Sequence, residues 1–144
     1  MLNLNRRIFY VTNTSSEIYL ENNTITNKDS TGSFLRVEAD SWGNTGSNGG
    51  AVTLNMTNQK AVGNIVIDSI STLTMNLTNK SYYEGVINSD NSAKSIILKL
   101  DKTSSIKLTD DSYITSLDNS DSTNSNIDFN AYKLYVNGKE IKSN

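Results

Sequence analysis

The chain of 144 residues contains no cysteine, no histidine and no proline. Without cysteine there is no disulfide frame, no thiolate chemistry and no Cys-based zinc site. Without histidine the commonest general base and the commonest transition-metal ligand are both missing. Without proline the bends must come from Asn and Gly, which tolerate the left-handed backbone that sharp corners need. Apolar residues make up only 35% of the chain, and the formal net charge of −2 leaves no basic footprint for nucleic acid or an anionic membrane. No apolar run approaches membrane-spanning length, so no membrane insertion is expected. The opening Met1-Leu2-Asn3-Leu4-Asn5-Arg6-Arg7 lacks a signal peptide's apolar run and cleavage site, which reads as a mature piece of an exported protein or as one not exported by that route.

Asn, Ser, Thr and Asp crowd the sequence, a composition that by itself leans towards disorder. A regular strand pattern overrides it. Val52-Thr53-Leu54-Asn55-Met56-Thr57-Asn58 returns 21 places later as Leu73-Thr74-Met75-Asn76-Leu77-Thr78-Asn79, apolar for apolar and Thr or Asn for the identical residue. A fixed period of this size with short strands is the signature of a solenoid, whose thin core needs only alternate residues. The spacing predicts Thr53 directly over Thr74, with Val52, Leu54, Met56 and Leu73, Met75, Leu77 turned inwards. Each such side chain, fully buried, contributes ~1.5–3 kcal/mol.

Two series run at this period. One joins Val52, Leu73, Ile96–Leu100, Tyr113-Ile114-Thr115 and Lys133–Val136; the other joins Ile65, Ile87, Ile106–Leu108 and Ile127–Phe129, with Gly63-x-Ile65 returning as Gly85-x-Ile87. At least two stacked strand faces per coil follow. Trp42–Gly50 holds four of the eight glycines and reads as a loop excursion. Near the end, Asn137-Gly138 between strand residues is a hairpin signal. The expectation is one all-β solenoid domain with residues 1–7 as an extension, coils over 8–125 and a C-terminal β-hairpin cap over 126–144.

The rungs Phe9–Thr14, Ile18–Thr24, Asp40-Ser41-Trp42-Gly43 with Gly46–Gly50, Gly63–Ser71, Ile87–Ser95, Asp111–Leu117 and Leu134–Lys139 resemble the pectate-lyase-like right-handed parallel β-helix superfamily. More narrowly, they are similar to the C-terminal rungs of large secreted bacterial β-helix proteins described as adhesin-like or carbohydrate-binding. The resemblance covers nearly the whole chain from Ile8. It implies a single-stranded right-handed parallel β-helix, and an extracellular or cell-surface setting in a bacterium. Such proteins usually have further coils upstream, whereas the matched blocks here begin close to the start.

Candidate chemistry is thin. Asp110-Asp111 has the look of the paired carboxylates of glycosidases, but a solvated turn accounts for it better, since no His and few Arg residues accompany the pair. Asp118, Asp121 and Asp128 crowd one loop and could offer oxygen ligands to Ca²⁺, though without a calcium-binding repeat. Trp42 and the Tyr82-Tyr83 pair are the aromatics best placed to stack on sugars, with Tyr113, Tyr132 and Tyr135 behind them. Outward Thr and Asn columns suggest an ice-binding lattice, but Ile97, Lys99 and Asp101 break the row at the next coil. No cofactor is implied.

Three functions follow in order. The first is a non-catalytic extracellular solenoid that is structural, adhesive or self-assembling, pairing through the first coil's edge at Ile8, Phe9, Tyr10 and Val11. The second is a carbohydrate-binding module using Trp42, Tyr82 and Tyr83. The third is a polysaccharide lyase or hydrolase.

Overall fold

The computed structural model describes residues 7–27, 29 and 32–143. Among them there is no helix. The strands wind through about six turns. Turn one holds β1 (Arg7–Val11), β2 (Ser15–Glu21) and β3 (Thr24–Thr26); turn two holds β4 (Ser33–Val37), β5 (Ala51–Thr57) and β6 (Lys60–Val62). Turn three holds β7 (Asn64–Ile67), β8 (Thr72–Thr78) and β9 (Tyr82–Gly85). Turn four contributes β10 (Ser95–Leu100) and β11 (Ser105–Leu108), and turn five β12 (Ser112–Ile114), β13 (Ser116–Asn119) and β14 (Ile127–Asp128). The chain ends on β15 (Leu134–Val136) and β16 (Lys139–Ile141).

Each turn stacks in parallel on the one before. The second face runs β2-β5-β8-β10-β13 and the third β3-β6-β9-β11-β14. The first face runs β1-β4-β7, continues through an Ile65–Ile87 bridge and an amide bond from Tyr113 to the Ile87 carbonyl (3.0 Å), and finishes on β12-β15. Thr53 lies over Thr74 and Asn55 over Asn76, as the repeat predicts.

Three faces, not two, make the coil, and this re-sorts the two series. Tyr113-Ile114 pairs with Tyr135-Val136 on the first face, below Ile65 and Ile87. Ile106 and Ile127 instead continue the third face, beneath Tyr83. The strands of adjoining faces are only two to seven residues long, so apolar positions from neighbouring faces recur at similar intervals. Nor is the period uniform. Ala51 pairs with Thr72 at a step of 21, but Ser15 pairs with Ala51, Thr72 with Ser95 and Ile97 with Ser116. Loops absorb the difference, for an overall spacing of roughly 23.

The core is a thin column. Leu35, Leu54, Met75, Leu77, Tyr83, Ile87 and Leu98 are fully enclosed. Buried serines are part of its logic, because turns two to four leave corner amides pointing inwards. The Gly50 amide donates to Ser71 Oγ (3.0 Å), Gln59 to Ser81 (3.2 Å), Ser81 to Ser104 (3.1 Å) and Ile87 to Ser112 (3.0 Å). Each hydroxyl satisfies the turn before it, so these polar groups are buried without loss. The corner after the second face uses left-handed asparagines: Asn22, Asn58 and Asn79 have φ of 60°, 47° and 54°. Asn58 Nδ2 donates to Asn22 Oδ1 at 3.0 Å, tying two of them together.

The end closes on the expected β-hairpin, which spans β15 and β16. β14 and β15 still belong to the third and first faces, and only β16 folds back, antiparallel to β15. The connecting Asn137-Gly138 has φ of 49° and 83°, both positive as a tight hairpin turn requires.

Candidate functional site

Between β4 and β5 the chain leaves the coil for residues 38–50, and this excursion is rigidly built. Asn48, 5% exposed, sends its amide nitrogen to the carbonyls of Asp40 and Trp42, both at 2.9 Å. The Asp40 carboxylate accepts from Tyr10 Oη (2.6 Å) and from the Ser41 amide (2.7 Å), and the Ala39 amide donates to Asp68 (2.7 Å). These bonds hold the Asp40 carboxyl below the ordinary carboxylate range, the Tyr10 hydroxyl contributing most. Gly43 (φ 77°) presses against Asn13, where a Cβ would come within 2.7 Å of the amide. Trp42, at 70% exposed, is therefore displayed by a fixed loop. Two buried side-chain atoms without a hydrogen-bond partner, Thr12 Oγ1 and Asn48 Oδ1, belong to the same corner, where the Asn13 amide donates to the Asn48 carbonyl at 3.1 Å.

The three aromatics expected to form a sugar platform do not come together. Trp42 is on the loop between the first and second faces, whereas Tyr82 is on the third face. Tyr82 is half-buried, gives its hydroxyl to Glu84 (2.7 Å) and lies under the Lys60 ammonium (5.6 Å to the ring centre). Burial first, then the Glu84 carboxylate, raises its hydroxyl pKa. Tyr83 has no exposure at all: alternation along β9 turns it inwards over Ala61, and its hydroxyl donates to the Gly63 carbonyl at 2.7 Å. Its ring is core, with no face for a ligand.

Other aromatics also reach the surface. Tyr113 and Tyr135 stack at 5.0 Å between centroids and 8° between planes on the first face. Tyr132 is 40% exposed beyond β14. Tyr19, 64% exposed on β2, was not singled out from the sequence; its place outside the inward pair Ile18 and Leu20 was the available signal.

The calcium candidates are likewise apart. Asp118 pairs across from Lys99 on the second face and Asp128 from Lys107 on the third. Asp121 turns back onto Thr123 and Ser125, whose hydroxyls hold its pKa down to about 2. No cluster of three acidic, His or Cys side chains suited to a metal occurs among the described residues. Asp110 caps the Asp111 amide (2.8 Å), and Asp111 accepts the Lys133 amide (2.9 Å), so both carboxylates staple corners.

The first turn forms the edge of all three faces, through β1, β2 and β3. Ile8 is 38% exposed, Phe9 and Tyr10 are half-buried, and Val11 is buried at 8%. Phe9 packs edge-on to Phe34 at 5.5 Å, and the Arg7 guanidinium lies 4.0 Å over the Tyr10 ring. No protein-family model, curated protein or solved structure matches the chain.

Proposed function

We propose that this chain is a non-catalytic β-solenoid module, structural or adhesive in role, that associates with a second copy through the edge of its first turn. One observation carries the reading. Phe9, Ile18, Leu20 and Ile25 point into the core but are only half-buried, while their partners one turn deeper, Leu35, Leu54, Met56 and Ala61, are at most 1% exposed. Among the described residues nothing covers them. Peptide groups alternate along a strand, and the Thr14 carbonyl and Asn22 amide bond the second turn. The amides of Glu17, Tyr19 and Glu21 therefore face the open side. β2 is seven residues long without a proline or an inward charge, the usual guards of such an edge. At the far end β16 covers β15 on the first face, which removes one of the three strand edges that a head-to-tail filament would use.

A cysteine-free chain permits a clean test. Single-cysteine variants Tyr19→Cys and Lys99→Cys stand in one outward column, on turns one and four. A short bis-maleimide should link Tyr19→Cys into dimers and leave Lys99→Cys monomeric. No linkage in either, or equal linkage in both, removes the reading.

The second reading is a carbohydrate-binding module, supported by the rigid loop that displays Trp42. Loss of retention on a polysaccharide gel in Trp42→Ala supports it, and unchanged retention counts against it. A lyase or hydrolase would need turnover that Asp111→Asn abolishes. An extracellular, bacterial cell-surface setting and a right-handed, pectate-lyase-like winding belong to the same proposal. The hand is supported by the strong general preference of parallel crossovers for that sense.

A further inference from the structure

We infer that the second copy joins about a twofold axis at Ile18, so that the two β2 strands pair antiparallel along their whole length and each Glu17 faces the partner's Tyr19; this rests on the association reading and gives it a register. Strand geometry leaves few ways to join. The Thr14 carbonyl and Asn22 amide bond the second turn, so the peptide groups of the odd-numbered residues of β2 face the open side. The same positions, Ser15, Glu17, Tyr19 and Glu21, carry exposed side chains, while Ile18 and Leu20 turn to the core. A core continuous across the seam needs both second faces to present the same side inwards. A twofold axis perpendicular to the sheet achieves this and makes the strands antiparallel. Odd residues then pair with odd ones and even with even, which puts the axis on a residue and not between two.

Corners and charges choose which residue. β2 is bounded by two left-handed asparagines, Asn13 (φ 54°) and Asn22 (φ 60°), where the chain turns towards the adjoining faces. Ile18 is the middle of the seven residues Ser15–Glu21, so an axis there pairs all of them and sets β1 of each copy against β3 of the other. Moving the axis to Glu17 or Tyr19 runs each strand past the partner's corner and offsets the other two faces. It also opposes carboxylates directly: Glu17 meets the partner's Glu17 in the first case and the partner's Glu21 in the second, which is destabilising. No cation relieves them, because the outward residues of β5 and β8 are Ala, Thr and Asn, and the first lysine on this face is Lys99 of turn four. With the axis at Ile18, Glu21 stands opposite the partner's Ser15 and Glu17 opposite the partner's Tyr19. Tyr19, 64% exposed, already gives its hydroxyl to its own Glu17, so each Glu17 carboxylate gains a second phenol within reach. Inside, Ile18 lies against the partner's Ile18 and Leu20 against the partner's Ser16, which continues the core through the seam.

Cross-strand disulfides read this register directly in a chain without cysteine. Opposed residues of a hydrogen-bonded pair have Cα atoms ~5.5 Å apart and diagonal ones ~7–8 Å, and only the first separation suits a disulfide. Ser15, Glu17, Tyr19 and Glu21 are all exposed, so cysteine at any of them spares the core. Under mild oxidation an equal mixture of Glu17→Cys and Tyr19→Cys should give disulfide dimers on a non-reducing gel. A mixture of Ser15→Cys and Glu21→Cys should do the same, and each of the four variants alone should stay monomeric. Light scattering of the unsubstituted chain, run alongside, should show dimers forming as concentration rises. Dimers by scattering with no disulfide in either mixture overturn the register and leave the association standing. Disulfides formed as readily by Tyr19→Cys alone, or by Glu17→Cys alone, also overturn the register, since they place the axis at that residue. An unsubstituted chain that stays monomeric at every concentration overturns both.

Discussion

Replacing Gly85 by alanine should be among the most damaging single changes in the chain. Gly85 sits over Gly63 where the third face turns into the first, with the Gly63 amide bonded to the Glu84 carbonyl at 3.0 Å. A Cβ at Gly85 would overlap the Gly63 carbonyl oxygen and the Tyr83 hydroxyl, and would come within 2.9 Å of the Gly63 carbonyl carbon. Two of these atoms are backbone and cannot swing aside. The third is the hydroxyl of a fully buried ring, bonded to the carbonyls of Gly63 (2.7 Å) and Val86 (3.3 Å). Overpacking costs ~1–3 kcal/mol, and displacing the phenol from its buried acceptors a further ~1–3 kcal/mol. The expected loss is therefore about 2–6 kcal/mol, read as a lower urea midpoint at constant slope. Gly46→Ala is the control, since that position has open space and only a left-handed backbone (φ 89°), for ~1–2 kcal/mol. Tyr83→Phe alone should cost ~1–3 kcal/mol. The double variant should cost less than the sum, because the deleted oxygen is one of the atoms the new methyl meets. Gly85→Ala no worse than Gly46→Ala, or strict additivity of the pair, would refute this picture of the corner.

Asn58→Ala should destabilise by ~1–2 kcal/mol, because Ala resists the left-handed φ of 47° and loses the bond to Asn22, while Asn58→Gly should cost less; urea titration of both decides it. Acid should unfold the chain late. Asp121, at about 2, and Asp40 are lowered by hydrogen bonds, and Asp101, against the upward push of its burial, is lowered by the Asn79 and Thr103 amides and the Thr103 and Ser104 hydroxyls. Carboxyls with depressed folded pKa values contribute stability that is complete above their unfolded value near ~4 and is lost as the pH falls through the folded value. Melting temperature should hold from pH 7 to about 5 and drop between about 4 and 2, less steeply in Ser125→Ala/Thr123→Val; a fall beginning above pH 5 would point to other groups. Trp42→Ala should leave the unfolding free energy from urea titration unchanged within about 0.5 kcal/mol, since the ring is mostly exposed and its loop is held by Asn48 and Asp40.

What could be read from the residues alone follows the strength of the pattern. β5 and β8 carry seven alternating residues each and were legible down to the pairing of Thr53 with Thr74. Gly63 and Gly85 were visible as equivalents, and Asn137-Gly138 as a hairpin. The third face was not, because its neighbour is represented in turn four by a single bridged residue, Ile87. β13, Ser-Leu-Asp-Asn, has one apolar residue and so left Tyr113-Ile114 as the apparent successor of β10. The 36-residue step from Ser15 to Ala51 kept turn one out of both series, since residues 38–50 intervene. At the candidate site, adjacency misled: Tyr82 and Tyr83 are neighbours in sequence, but successive strand residues face opposite ways, so one is surface and the other core.

Amide hydrogen exchange across a range of protein concentrations bears most directly on the open first turn. The amides of Glu17, Tyr19 and Glu21 should exchange quickly in dilute solution and become protected as concentration rises, while those of β8, paired on both sides, stay protected throughout. Exchange on β2 that is slow and independent of concentration, or fast at every concentration, would contradict association through this edge.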